Sequence, residues 1–324
     1  MDNPRLILQH SSMSRTVLLL APLLAAALAA EARAVLVAET MGNITAPGDD
    51  PGWGNVGNCN SAGAIYLGNQ WVLTAFHVNA SAGFPVAFNG TTYTTIPSSG
   101  VRLTNNGAGG MSAQTDLILF RINGDPGLPT PVISASAPVL GDDIVMIGNG
   151  RNRQASRTFW QVTMNPDPAL DTWTETVGAH NVEGYKADTG SAKRWGTNDA
   201  EAVNVNIDYG VGTVRTFLSL FDDYGGASNE AQAMTGDSGG GVFHKNGAQW
   251  ELSGVMLAVG TAGNPSFFDN PPADTAAFGQ HLTAMADLSF YRNQLLGIIP
   301  EPSSALLLAG GLTFMLRRRR NGGS

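Results

Sequence analysis

Short apolar stretches recur along the middle of the chain, and clusters of Gly, Asn, Asp and Pro close them one after another. Residues 64–67 run into Gly68-Asn69, and 71–74 follow at once. Residues 117–122 end at Asn123-Gly124-Asp125-Pro126-Gly127, and 143–147 end at Gly148-Asn149-Gly150. Further stretches lie at 203–207, 241–243 and 252–257. Short strands at this spacing, parted by Gly-rich turns, predict an all-β sandwich or barrel. Glycine supplies 40 of the 324 residues, well above its ordinary share of about 7%, which fits many tight turns and few long helices.

A polar, Pro-containing stretch at 128–138 predicts a connection between two halves. Apolar residues at helical spacing over 286–296 predict one helix near the end. Residues 151–235 carry Trp160, Trp173 and Trp195 among polar neighbours and show no clean period. They read equally as surface loops with aromatic anchors or as long loops bordering a binding cleft.

Composition narrows the function. The hydrophobic fraction of 43% is too high for a disordered chain. The net charge of −8 argues against a nucleic-acid binder, which would need a basic face. A single cysteine, Cys59, excludes both an internal disulfide framework and a multi-thiolate metal site. His180, His244 and His281 lack ligand spacing, and the paired carboxylates Asp142-Asp143 and Asp222-Asp223 are ordinary for a surface. No metal site and no cofactor are therefore expected.

The two ends look like addressing signals. Arg15 precedes an unbroken apolar run over 17–30, and Ala32-Arg33-Ala34 offers small residues for cleavage. This predicts a signal peptide over 1–34, cut by signal peptidase. At the other end Pro300-Glu301-Pro302 precedes a short apolar segment and four arginines, Arg317 to Arg320. That order resembles the PEP-CTERM sorting tail, here 300–324. The resemblance implies a short transmembrane helix, an exosortase-type sorting enzyme as partner, and delivery to the periplasm, outer surface or extracellular matrix of a Gram-negative bacterium. Between residues 35 and 300 there remain 11 basic and 23 acidic residues, a net charge of −12 for the exported body.

Three short segments carry chemistry. In Gly236-Asp237-Ser238-Gly239-Gly240 the glycines permit a tight turn around a serine. The amides of Gly236 and Ser238 could converge there as an oxyanion hole. Trp71-Val72-Leu73-Thr74-Ala75-Phe76-His77 is an apolar strand ending in a histidine, the usual base near neutral pH. Thr115-Asp116-Leu117-Ile118-Leu119-Phe120 opens a buried strand with an aspartate that could orient an imidazole. Each alone is weak evidence.

In the order His, Asp, Ser, the three contexts together resemble the trypsin-like, chymotrypsin-fold serine endopeptidases. The matching motifs are Thr74-Ala75-Phe76-His77, Asp116-Leu117-Ile118-Leu119-Phe120 and Gly236-Asp237-Ser238-Gly239-Gly240-Gly241. The resemblance spans about 35–299. It implies two six-stranded antiparallel Greek-key barrels, 35–133 and 134–299, and a C-terminal helix. It also implies Ser238 as nucleophile, His77 as general base and Asp116 as its orienting carboxylate, with a protein or peptide as substrate. The sequence departs from the family pattern where Val78 replaces the cysteine after the histidine and Gly241 the final proline.

By the same resemblance Gln232 stands at the base of the specificity pocket and Leu257, Ala258 and Val259 form its far wall, favouring uncharged side chains. Signal cleavage would expose Val35, whose amino group would then insert beside Asp237 and activate the enzyme. The competing expectation is that another group holds Asp237. A reading from a different class is a catalytically silent surface or matrix binding protein on the same fold.

Overall fold

A computed structural model describes residues 35–299, apart from 39, 41, 164, 166–171, 222–228, 261–265 and 269–280. The expected signal peptide and sorting tail lie outside the described residues. Among those described, no helix is long and apolar enough to cross a membrane.

The first strand, β1, is Leu36–Val37. Then come β2 (Val56–Cys59), β3 (Ala62–Gly68), β4 (Trp71–Ala75), β5 (Val86–Phe88), β6 (Thr91–Tyr93), β7 (Val101–Thr104) and β8 (Gln114–Arg121). These seven form one antiparallel sheet in the order β6-β5-β2-β3-β4-β8-β7. The β5–β6 hairpin turns on Asn89-Gly90, both at positive φ, which is the two-residue turn this dipeptide favours.

Beyond it follow β9 (Asp143–Gly148), β10 (Arg151–Arg153), β11 (Thr158–Thr163), β12 (Thr172–Thr176), β13 (Val182–Ser191), β14 (Arg194–Asp199) and β15 (Ala202–Asp208). The remainder are β16 (Thr213–Leu220), β17 (Ala231–Gln232), β18 (Gly241–Asn246), β19 (Gln249–Val259), β20 (Ser266–Phe268), β21 (Leu282–Asp287) and helix α1 (Leu288–Ile298). A second seven-stranded antiparallel sheet has the order β14-β9-β18-β19-β21-β16-β15.

The all-β class, the antiparallel sheets and the single C-terminal helix agree with the sequence expectation. Each large sheet has seven strands where the resemblance implied six. The helix starts two residues later than its apolar spacing suggested. Ala286 and Asp287 finish β21 instead, and the Asp287 carboxylate caps the helix by accepting from Ser289 N at 2.9 Å.

The loop expectation for 151–235 is corrected most strongly. Strands β10, β11, β12 and β13 form a third sheet, in the order β10-β13-β11-β12, with β20 paired to β13. It leaves the second sheet at Gly148 and returns at Arg194, two residues that face each other across β9 and β14. Buried residues alternate only over short stretches of these strands, as at Thr158, Trp160 and Val162 of β11, so no long apolar period marks them. Backbone pairing and one small cluster hold it together: Trp160, Val162 and Val182, with Trp173 packed edge-on to Trp160 at 6.3 Å. The legible signal was the β-branched alternation of Thr172-Trp173-Thr174-Glu175-Thr176.

One apolar core runs through both large sheets, taking in Leu73 and Phe120 of the first with Val145, Phe243 and Leu257 of the second, and polar contacts add to it. Gln294 of α1 reaches Thr104 O of β7 at 2.7 Å. Asn149 Nδ2 donates to Gly57 O at 2.7 Å, and Lys193 Nζ donates to the carbonyls of Trp53 and Val56. Segment 35–38 does not join the N-terminal sheet. β1 pairs with β17, on the side of the second sheet.

Candidate active site

Strand β4 ends at Ala75, and the chain turns there through Val78 N, which donates to Ala75 O at 3.1 Å. Asp116 lies on the neighbouring β8, because Ala75 is in register with Leu117. Phe76 N donates to Asp116 O at 3.0 Å, which sets His77 directly opposite the aspartate side chain. Asp116 is fully buried and grips His77 twice. Its Oδ1 accepts from His77 N at 2.9 Å, and its Oδ2 meets the ring Nδ1 at 2.6 Å. A carboxylate only accepts, so this contact puts the neutral ring's proton on Nδ1 and leaves Nε2 with its lone pair. The His77 side chain is 37% exposed, so the ring is open to solvent in part.

Arg102 of β7 braces this pair from behind. Its Nε donates to Thr115 O at 2.7 Å, and its guanidinium lies 3.6 Å above the Phe76 ring. Another of its nitrogens donates to Val211 O on the β15–β16 turn, tying the brace to the second sheet. Tyr209 lies close enough to feel the Asp116 charge. Burial and that charge push its hydroxyl well above the ordinary tyrosine range, so it stays protonated.

The serine turn docks on the strands that carry the histidine. Ser238 O accepts from Gly63 N of β3 at 2.8 Å, and Thr74 Oγ1 of β4 donates to Gly63 O at 2.6 Å. On its other side Gly239 N donates to Met256 O at 2.8 Å. Gly236 and Gly239 both have positive φ, so their flanking role is conformational. The amides of Gly236 and Ser238 have no acceptor among the described residues. Ser238 Oγ donates to Leu257 O at 3.2 Å, and no hydrogen bond joins it to His77.

Asp237 is fully buried between the turn and β9. Its carboxylate accepts from Met234 N at 2.8 Å and Gly150 N at 3.3 Å. Burial pushes its carboxyl up to about 8, against those hydrogen bonds and the positive field of Arg194. Gly148 makes room for it. A Cβ there would lie 2.6 Å from Asp237 Cγ and 3.1 Å from Val35 Cγ2. Val35, itself buried, and Asp237 thus flank the same glycine.

The raised Asp237 carboxyl has a signed consequence. The folded chain keeps a proton that the unfolded chain loses above about 4, so stability is full below that pH and declines toward about pH 8. Thermal midpoints of the uncut chain measured from pH 5 to pH 8 should fall more steeply for the wild type than for Asp237→Asn. Parallel curves would reject the assignment.

The remaining expected residues are all buried. Gln232 sits on β17 opposite Leu36, and Leu257, Ala258 and Val259 close β19. Of these, Leu257 hydrogen-bonds Ser238 through its carbonyl. The chain that follows, 261–280, is described only at β20. Sequence reasoning missed Gly63, Thr74, Arg102 and Gly148. Thr74 lay within the histidine motif, but nothing local marked Gly63, Arg102 or Gly148, whose roles depend on distant partners. Cys59 is buried beside Asn79, and burial pushes its thiol up to about 12. Among the described residues no cluster of three metal-ligating side chains occurs.

No family model and no curated protein matches this chain. Among solved structures it is similar to the Rv3671c protease in an inactive form, at 14% identity and a TM-score of 0.41, covering 81% of this chain and 98% of that one. It is equally similar to a serine-to-alanine mutant of Rv3671c from M. tuberculosis H37Rv, also inactive, at 14% identity and TM-score 0.41, covering 82% and 97%. A likeness this distant carries no argument about chemistry, which rests on the site itself.

Proposed function

We propose that this chain is a serine endopeptidase, cleaving peptide bonds through Ser238, His77 and Asp116. The observation that carries the reading is the 2.6 Å contact between His77 Nδ1 and a fully buried Asp116, on strands against which a serine turn with two open amides is docked. In this mechanism Ser238 Oγ rotates from Leu257 O toward His77 Nε2 and gives up its proton as it attacks the substrate carbonyl carbon. The Gly236 and Ser238 amides receive the negative charge on the carbonyl oxygen. His77 then passes its proton to the departing amine, leaving an acyl-Ser238. Water, deprotonated by His77, releases the acid and restores the serine.

The proposal extends to the ends of the chain. The protein is exported, cut by signal peptidase after Ala34, and sorted through its Pro-Glu-Pro tail by an exosortase-type enzyme. The freed Val35 amine would sit beside Asp237 and draw its carboxyl back toward the ionised form. One extra residue before Val35 should therefore lower activity sharply.

The orientation of Ser238 toward Leu257 O, away from His77, favours a second reading. On that reading the protein is a silent binding protein of the cell surface, with substrate-like peptides as ligands. Labelling of the mature chain, beginning at Val35 as signal cleavage would leave it, by a fluorophosphonate probe separates the two. Stoichiometric labelling that a peptide substrate slows supports the peptidase. A folded sample that stays unlabelled supports the binding protein.

A further inference from the structure

The third sheet has no part in the mechanism above, yet it is built against the segment that leads to the serine turn. Residues 35–38 are each about 1% exposed, and their only strand, β1, is two residues long. A ladder that short holds a chain weakly. It pairs Leu36 with Gln232 and Val37 with Ala231, and Ala38 N adds a bond to Glu230 O at 2.9 Å. The opposite side of the segment is held by side chains of the third sheet. Arg153 Nε donates to Val37 O at 2.8 Å, and its Nη2 donates to Ala38 O at 2.9 Å. Tyr185 OH donates to the same Ala38 carbonyl at 2.6 Å. The guanidinium carbon lies 3.9 Å from the centre of the Tyr185 ring, and its Nη1 is spent on Gln154 O and Ala155 O. Both side chains are more than nine-tenths buried. Buried charge is tolerated where its donors are matched, and here main-chain carbonyls match them.

From β17 the chain runs through Ala233 to Met234, whose amide holds Asp237 Oδ2, and Asp237 N returns to Met234 O at 3.1 Å. Gly236 and Ser238 flank that aspartate. A continuous path of hydrogen bonds and covalent chain thus links Arg153 to the two open amides. We propose that Arg153 and Tyr185 are positioning residues: together they form a receptor for the 35–38 segment, and by clamping it against β17 they set the shape of the 236–238 turn. The inference rests on the peptidase reading for its catalytic consequence. The clamp uses carbonyls, so it acts whether or not residue 35 carries a free amine.

The test uses the mature chain beginning at Val35, as signal cleavage would leave it, and the variants Arg153→Met, Arg153→Lys and Tyr185→Phe. Amide hydrogen exchange is followed over 35–38 and 234–238, beside the rate of fluorophosphonate labelling. Arg153→Met should speed exchange in both segments, leave the β2–β8 sheet unchanged and slow labelling about tenfold or more, as expected when two charge-assisted bonds are lost. Arg153→Lys should recover part of both effects, since an ammonium can still donate to one carbonyl. Faster exchange at 35–38 with unchanged exchange at 234–238 would overturn the coupling. Unchanged exchange at 35–38 would overturn the clamp. Should Arg153→Met fail to fold, Tyr185→Phe carries the test, because it removes one hydroxyl and leaves the guanidinium in place. A wild type that resists labelling would defeat the peptidase reading, and exchange alone would then still decide the clamp.

Discussion

Ser238→Ala should lower kcat on a peptide substrate by about 10⁶-fold, His77→Ala by a similar factor, and the double variant by no more than either. The non-additivity is the informative part. If Ser238 acts only through the base at His77, removing one partner already removes the function of both. What survives is the roughly 10³-fold advantage of bound substrate and oxyanion donors. The Gly236 and Ser238 amides are main-chain groups, so both substitutions leave them in place. Independent losses that multiply would mean that the two side chains do not work as a unit. The resting Ser238–Leu257 contact at 3.2 Å would then be the functional one.

Gly63→Ala should lower kcat/KM by about 10²-fold while the chain still folds. Gly63 is the point where the two halves of the site touch. Its amide donates to Ser238 O, and its carbonyl accepts from Thr74 Oγ1. A Cβ there would press on Gly240 N and lie 2.6 Å from Gly240 Cα and 2.7 Å from Gly239 C. These contacts are backbone, so nothing flexible can move aside. Either the serine turn shifts or β3 does, and overpacking of this kind costs about 1–3 kcal/mol. A shift of the turn moves Ser238 and both oxyanion amides relative to His77, which stays anchored on β4 and β8. The control is Gly109→Ala, where a Cβ meets open space, and it should leave both Tm and kcat/KM unchanged. A Gly63→Ala enzyme with wild-type kinetics would show that the serine turn is not positioned by this contact.

These predictions differ in how they could have been reached. Ser238, His77 and Asp116 were legible because each sits in a local pattern with its own physical cause. The serine lies between glycines, the histidine ends an apolar strand, and the aspartate opens another. The strands that carry them were legible for the same reason, since burial on a sheet imposes a period of two or a continuous apolar run.

The third sheet was barely legible. Its strands are rich in Thr and poor in aliphatic residues, and a sheet held by ladder bonds over a four-residue cluster shows only brief alternation, over 158–163 and 172–176. Gly63, Gly148, Arg102 and Arg153 were illegible for another reason. Each owes its role to a partner far along the chain: Gly63 to Ser238, Gly148 to Asp237, Arg102 to Phe76 and Val211, Arg153 to Val37 and Ala38. A glycine that leaves room and an arginine that feeds carbonyls look like any others until the partner is in place.

Local pattern and composition thus sufficed for the all-β class, for the candidate residues Ser238, His77 and Asp116, and for the acidic, cysteine-poor character of the chain. The folded arrangement was needed to show which backbone groups face Ser238, what holds Asp237 and where segment 35–38 is seated. Those are long-range contacts whose geometry arises when separate strands are brought into register, and no single stretch of sequence contains them.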